Sequence, residues 1–249
     1  MLNGIDISHW QDGINLAKVK HDFVIIKATE GIDFVDPCFH KFIIQAKTDG
    51  DCIGVYHFAR PEKYSAKQEA AFFHKTIKDF VGEVMLILDW ESVGKGNVTW
   101  AKVWLDEIHN LTGVKPVIYM SESVVNHYKW ESVASGDYGL WVAKYADNKA
   151  DKNYDMSNAG KKPKVKWWNN YCMWQWTSSG KLTGYKGNLD CDVFYGDKTA
   201  WGKYAGVSCK THIVKDGDTL SGIARQHGLT VDDIVAKNRL ITVGQTLRV

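Results

Sequence analysis

The sequence predicts an α/β fold, an irregular β/α barrel that closes with plain strands, followed by a small β-α-α-β module. Three observations carry this reading. Through the first 145 residues or so, short apolar runs of strand length alternate with segments of helical period, the pattern of parallel strands covered by outer helices. After about residue 165 two strand-like runs follow one another across a Gly/Ser/Lys turn region with no helix between them. From Thr211 onward a second, much shorter pattern begins.

In chain order, strands are expected at Ile5–Ile7, Phe23–Ala28, Ile53–Phe58, Val84–Leu88, Pro116–Met120 and Leu140–Ala143. Between them Phe39, Phe42, Ile43 and Ala46 fall on one helical face, as do Ala70, Phe73, Ile77 and Phe80. Trp100, Trp104, Ile108 and Leu111 form a third stripe, with Thr99 read as its N-cap and Gly113 as its stop. Tyr171–Thr177 and Leu189–Phe194 are the plain closing strands. In the tail, His212–Val214 reads as a strand and Asp216–Thr219 as a turn that supplies an N-cap. Leu220, Ile223 and Ala224 mark a helix ending near Gly228, and Thr230–Asp233 opens another in the manner of a capping box. Thr246–Val249 closes the module. The expected division is 1–205 and 211–249, with a short linker around Tyr204–Lys210.

Composition narrows the function. A chain of 249 residues with 45% hydrophobic and 24% charged residues has the makeup of an ordinary globular protein with a sizeable core. A net charge of +2 without a Lys/Arg run argues against a nucleic-acid partner. The excess resides in residues 207–249, where it could favour an anionic wall. Five cysteines, none in a C-x-x-C pair, suggest neither a disulfide framework nor a zinc cage but thiols made in a reducing cytoplasm. The N-terminus does not read as a secretory signal, and no apolar run reaches membrane-spanning length. No cofactor or metal is expected, and oligomeric state is left open.

The chemical signal is Val84-Met85-Leu86-Ile87-Leu88-Asp89-Trp90-Glu91. Residues two apart on an extended strand share a face, so Asp89 and Glu91 stand side by side where the apolar run ends. Paired carboxyls of this kind suit glycosidic bond cleavage, one protonating the leaving oxygen while the other supports charge at the sugar carbon. In β/α barrels the chemistry sits at the C-terminal strand ends. Those ends carry Asp6, His57, Asp89 with Glu91, Tyr119, Lys144 with Tyr145, Gln175, and Asp190 with Asp192. Nine histidines without an H-E-x-x-H pairing disfavour a zinc amidase. A cysteine peptidase built on Cys38 is a weaker reading than a buried small residue.

Five segments resemble glycoside hydrolase family 25, the lysozyme/muramidase group found in many phage endolysins and bacterial autolysins. They are Gly4-Ile5-Asp6-Ile7-Ser8-His9-Trp10-Gln11, Tyr56-His57-Phe58-Ala59-Arg60-Pro61, Asp89-Trp90-Glu91, Trp141-Val142-Ala143-Lys144-Tyr145, and Trp174-Gln175-Trp176 followed by Gly187-Asn188-Leu189-Asp190. The tail resembles a LysM module through Val214–Leu220 and Val243–Leu247, with a shortened segment between Asn238 and Val243.

The resemblance implies a TIM-like barrel that hydrolyses the β-1,4 bond between N-acetylmuramic acid and N-acetylglucosamine in peptidoglycan. It implies Glu91 as acid/base, Asp89 assisting the substrate's N-acetyl group, and Asp6 and Asp190 as the remaining acids of the floor. Asp192 stands nearby, where many relatives have Asn. Trp10, Tyr56, Arg60, Tyr119, Trp141 and Gln175 are expected to contact substrate, and Trp174 is a further candidate for stacking on sugars. Lys144 replaces a different polar residue in many relatives and is left out. Crowding should keep one proton among the acids, expected on Glu91 with Asp89 ionised. The missing signal segment suggests an endolysin of phage or prophage type, made in the host cytoplasm and acting on the wall after release. A non-catalytic wall-binding protein is the alternative from another class.

Overall fold

The computed structural model describes residues 1–147, 153–207, 211–237 and 246–249. The chain forms two compact units, Met1–Val207 and Ser208–Val249. Linker residues 208–210, with Cys209, and the segment 238–245 lie outside the described residues.

The first unit contains β1 (Leu2–Ile7), β2 (Phe23–Glu30), β3 (Phe34–Val35), α1 (Phe39–Asp49), β4 (Cys52–Phe58), α2 (Ala66–Ile77), β5 (Met85–Asp89) and α3 (Val98–Thr112). It continues through β6 (Val117–Ser121), α4 (Glu122–His127), α5 (Glu131–Ala134), β7 (Gly139–Ala143), β8 (Met173–Gly180), β9 (Leu189–Phe194) and α6 (Lys198–Tyr204). The sheet runs β1-β9-β8-β7-β6-β5-β4-β2-β3, and β1 also pairs with β2, which closes it into an eight-strand barrel with β3 as a hairpin arm. β1, β2, β4, β5, β6, β7 and β8 run parallel, whereas β9 is antiparallel to β8 and β1. The plain strand that closes the barrel is therefore β9.

Strand parity decides what each residue does. Phe23, Ile25, Met85, Ile87, Val117, Met173 and Phe194 fill the barrel interior, while the alternate residues Val24, Ile26, Leu86, Leu88, Ile118 and Val193 pack beneath the helices. Gly4 also points inward, and a Cβ there would run into the Phe23 ring. The N-terminal pole is plugged by Trp201 of α6, whose ring lies 4.7 Å from that of Phe23 and whose indole N–H donates to the Ile53 carbonyl. With one pole sealed, inward-facing polar residues collect at the other.

The helices follow the expected stripes with three adjustments. α1 buries Phe39, Phe42, Ile43 and Ala46 and stops at left-handed Gly50. α2 starts from a Ser65–Gln68 capping box. It ends at Ile77, so Phe80 packs from a separate 3-10 turn. α3 is capped by Asn97 rather than Thr99, its side chain accepting from the Trp100 N–H, and Leu111 at the far end is exposed. Gly113, in the left-handed region, ends α3 as expected. The short elements β3, α4, α5 and α6 had no apolar period long enough to announce them. Among the described residues, no helix is long and apolar enough to cross a membrane.

The second unit has β10 (Thr211–Ile213), α7 (Leu220–His227), α8 (Val231–Lys237) and β11 (Thr246–Arg248), with β10 antiparallel to β11. Thr219 caps α7 through its side chain, and left-handed Gly228 ends it. Val214, Ile223, Ala224, Ile234, Leu247 and Val249 make its core.

Candidate active site

At the C-terminal pole the inward parity of seven strands delivers polar side chains in place of apolar ones. β5 carries Met85 and Ile87 inward, then Asp89; β1 carries Gly4, then Asp6. Beyond β5 the backbone keeps its sheet bonds, with Trp90 N–H donating to the Tyr119 carbonyl at 2.9 Å. Trp90 itself is locked outward among Trp100 and Trp130, its indole N–H donating to the Lys95 carbonyl. That anchor leaves Asp89 and Glu91 pointing the opposite way, into one cleft of about 250 Å³.

The cleft is lined by Asp6, Asp89, Glu91 and Asp190, with Tyr56, Tyr119, Tyr145, Gln175, Trp10 and Trp141 among its walls. Gln175 organises the floor. Its Oε1 accepts from the hydroxyls of Tyr119 and Tyr145, which leaves its Nε2 to donate to Asp6 Oδ2 at 2.6 Å. Trp10 stands 80% exposed at the rim and Trp141 is buried against the Tyr119 ring, so one indole offers a free face and the other a wall.

Electrostatically the cleft is a crowd of acids in a dry setting. Burial pushes Asp6 up to about 6, a rise that donation from Gln175 limits. Burial, with Asp6 and Glu91 alongside, pushes Asp190 up to about 8. Glu91 is raised mainly by burial, against the pull of Lys95 and Lys27. Asp89 lies well above the ordinary carboxyl range because it is sealed, with Glu91 and Asp6 adding repulsion. Its buried Oδ1 has no hydrogen-bond partner. Both carboxyls of the pair are raised together, with burial the first cause for each. Asp89 is the deeper of the two, buried on the floor, while Glu91 is exposed toward the cleft mouth.

Several other expectations shift by one residue of parity. His57 faces outward, fully buried, its Nε2 2.7 Å from Glu69 and its Nδ1 2.8 Å from the Thr29 hydroxyl. Arg60 does not line the cleft; its guanidinium donates to Glu30 and lies over the Phe58 ring. Trp174 is buried outward and donates to the Lys144 carbonyl. Lys144 pairs with Glu122 at 2.9 Å. Asp190 reaches the cleft, whereas Asp192 is completely buried, accepting from the Trp141 indole at 2.9 Å. Cys38 is buried, and burial raises its thiol, the reverse of an activated nucleophile.

Sequence reasoning missed Lys27. It follows Phe23 and Ile25 on the inward parity of β2, lines the cleft, and is held by Glu30 at 2.6 Å over the Phe58 ring. A lone lysine at an inward position of an otherwise apolar strand was the available signal. Tyr145, noted at a strand end but not assigned to the site, is the other omission.

A sealed barrel whose open mouth joins carboxyls, tyrosine hydroxyls and indole faces defines a hydrolase of carbohydrate-cleaving type. Residues 5–185 match the model for glycosyl hydrolases family 25, and residues 212–249 match that of the LysM domain. The chain is 31% identical over 207 residues to the protein YegX of Escherichia coli strain K12, covering 78% of this chain and 70% of that one. It is 28% identical over 213 residues to lysozyme M1 of Streptomyces globisporus, covering 78% and 68%. The bacterial lysozyme of Streptomyces coelicolor superposes with a TM-score of 0.71 at 26% identity, covering 82% of this chain and 97% of that one. The chain belongs to glycosyl hydrolase family 25 and is a glycoside hydrolase with a LysM domain.

Proposed function

We propose that this protein is a muramidase of endolysin type, cutting the β-1,4 bond between N-acetylmuramic acid and N-acetylglucosamine in bacterial peptidoglycan. The carrying observation is the placement of Asp89 and Glu91 together in a cleft shared with Asp6 and Asp190. Its resemblance to lysozymes of two Streptomyces species supports the substrate class.

Glu91, the more accessible acid, donates its proton to the glycosidic oxygen as that bond breaks. The substrate's own acetamido oxygen attacks the anomeric carbon, and Asp89 accepts the acetamido N–H and steadies the oxazolinium that forms. Glu91 then takes a proton from the water that opens the ring. Asp89 and Glu91 titrate as a pair. Burial raises both carboxyls, so the pair retains a proton that Glu91 can deliver, and an acetamido N–H donating to Asp89 favours the ionised form there. Tyr56, Tyr119 and Tyr145, held neutral by burial, supply hydroxyl donors, and Trp10 supplies a sugar-stacking face. The LysM unit adds wall affinity and so raises the local concentration of the catalytic unit on an insoluble polymer. The protein is expected to act on the wall after release from a host cytoplasm.

Clearing of a cell-wall suspension, with release of muramic-acid reducing ends, tests the reading. Wild type should clear and Glu91→Gln should not. Equal clearing by both removes Glu91 from its role, and binding without any release of reducing ends favours a non-catalytic wall binder.

A further inference from the structure

Asp192 is completely buried on β9, with Gly4 of β1 and Gln175 of β8 as its register partners. The Trp141 indole donates to its Oδ1. Its Oδ2 is sealed from solvent and receives no N–H or O–H donor. The carboxyls of Asp192 and Asp6 nevertheless lie within hydrogen-bonding reach of each other. Two ionised carboxylates have only acceptors to offer. This contact is a hydrogen bond only when one of the pair keeps a proton.

We propose, building on the hydrolase reading above, that Asp192 is a positioning residue: it keeps a proton and donates it to Asp6, which fixes Asp6 as the ionised acid of the cleft floor. The choice of holder follows from the surroundings. Asp6 opens onto the cleft and already receives Gln175 Nε2 at 2.6 Å. With Gln175 Oε1 accepting from two tyrosine hydroxyls, its amide N–H is the group that faces Asp6. Asp6 is thus flanked by two donors, an amide N–H and the Asp192 O–H, and its charge is stabilised from both sides. Asp192 has one indole donor and is sealed from solvent. The titratable groups that face it are Asp6, Asp190, Tyr145 and Tyr154, none of them cationic. The cations of the site, Lys27 and Lys95, act on Asp89 and Glu91 instead. Burial and these neighbours raise Asp192 well above the ordinary carboxyl range.

The consequence is a limb in the pH profile. Once alkaline pH removes the proton, a second charge sits dry against Asp6, the hydrogen bond between them turns into repulsion, and the floor loses its geometry. An amide cannot lose its proton in this way.

The test compares pH–rate profiles of the full-length protein on a wall suspension for wild type, Asp192→Asn, Asp192→Leu and Glu91→Gln. In Asp192→Asn the ratio of the rate at about pH 8.5 to that at about pH 5.5 should rise at least threefold over wild type, because an N–H replaces the labile O–H. Asp192→Leu, which has no donor to offer, should lose at least tenfold at about pH 5.5, where wild-type Asp192 keeps its proton. Infrared spectra give a readout besides activity: the wild-type minus Asp192→Asn difference near neutral pH should contain the carbonyl band of one neutral carboxylic acid, over and above the band of Asp190, which both proteins share. Superimposable profiles for wild type and Asp192→Asn, or a difference without that band, overturn the proposal. So does an Asn variant as impaired as the Leu variant. Activity in Glu91→Gln instead undoes the underlying reading, so the two failures are distinguishable. If Asp192→Leu does not fold, the Asn variant and the infrared band still decide.

Discussion

The two faces of the barrel strands treat buried carboxyls in opposite ways. On the outer face, Thr29, His57 and Glu69 are fully buried and form a closed chain. Burial holds His57 neutral, so its Nε2–H donates to Glu69 while Nδ1 accepts from Thr29. Glu69 also accepts from the Arg60 backbone N–H at 3.0 Å, and the His57 ring stacks on Trp104. One residue away in parity, on the inner face, Asp89 and Asp192 each keep an oxygen without a donor. A buried carboxyl with a full set of donors helps hold the fold together, whereas one left short of donors is costly and is completed by a ligand or a proton.

That contrast breaks most directly at Glu91 and Glu69. Glu91→Gln should lower the clearing rate by about 10²–10⁴, the usual worth of general acid catalysis, with no loss in melting temperature. Glu69→Ala should do the reverse. It strands the His57 N–H and the Arg60 backbone N–H, so thermal unfolding should show a loss of roughly 3 kcal/mol. A Glu69→Ala protein that melts like wild type would erase the distinction between the two faces.

Asp89→Asn sharpens the comparison, because it should gain stability while losing activity. Relief of crowding is worth up to about 1 kcal/mol in favourable cases, visible as a higher melting temperature alongside slower clearing.

Smaller still is the pH dependence of stability. Asp6 at about 6 and Asp190 at about 8 sit above the ordinary value of 3.8, so the folded state keeps protons that the unfolded chain has released. Their contribution is complete below about pH 4 and is lost as pH rises through about 6 and then about 8. The melting temperature of the catalytic unit should therefore fall across that window, and Asp190→Asn should flatten the slope. The least effect belongs to Arg60→Ala. Its partly exposed pair with Glu30 is worth less than about 1 kcal/mol, and clearing should change by less than about threefold. A large loss of rate would restore Arg60 to the substrate site.

Much of the site was legible because strand parity is local. Asp6, Tyr56, Asp89, Glu91, Tyr119, Trp141, Gln175 and Asp190 lie at strand ends and line one cleft. Two of the misplacements share one cause. His57 and Trp174 neighbour cleft residues in sequence, and neighbours on a strand face opposite ways. Arg60 lies past the end of β4, where parity no longer governs, and the chain turns it toward Glu30. Lys27 sits inside a strand, not at its end, so a search of strand ends passed over it.

The sequence by itself determined the alternation of strands and helices, the helix stripes and stops, and which residues share a sheet face, because each depends on neighbours a few positions apart. Only the tertiary structure decided that the barrel closes through an antiparallel ninth strand, that Asp192 lies beneath Asp190, and that Asp89 is the deeper acid of its pair. Desolvation and Coulomb repulsion depend on depth and on distances between residues up to some two hundred positions apart in the chain. No local pattern carries those distances; they exist once the strands are assembled around a common floor.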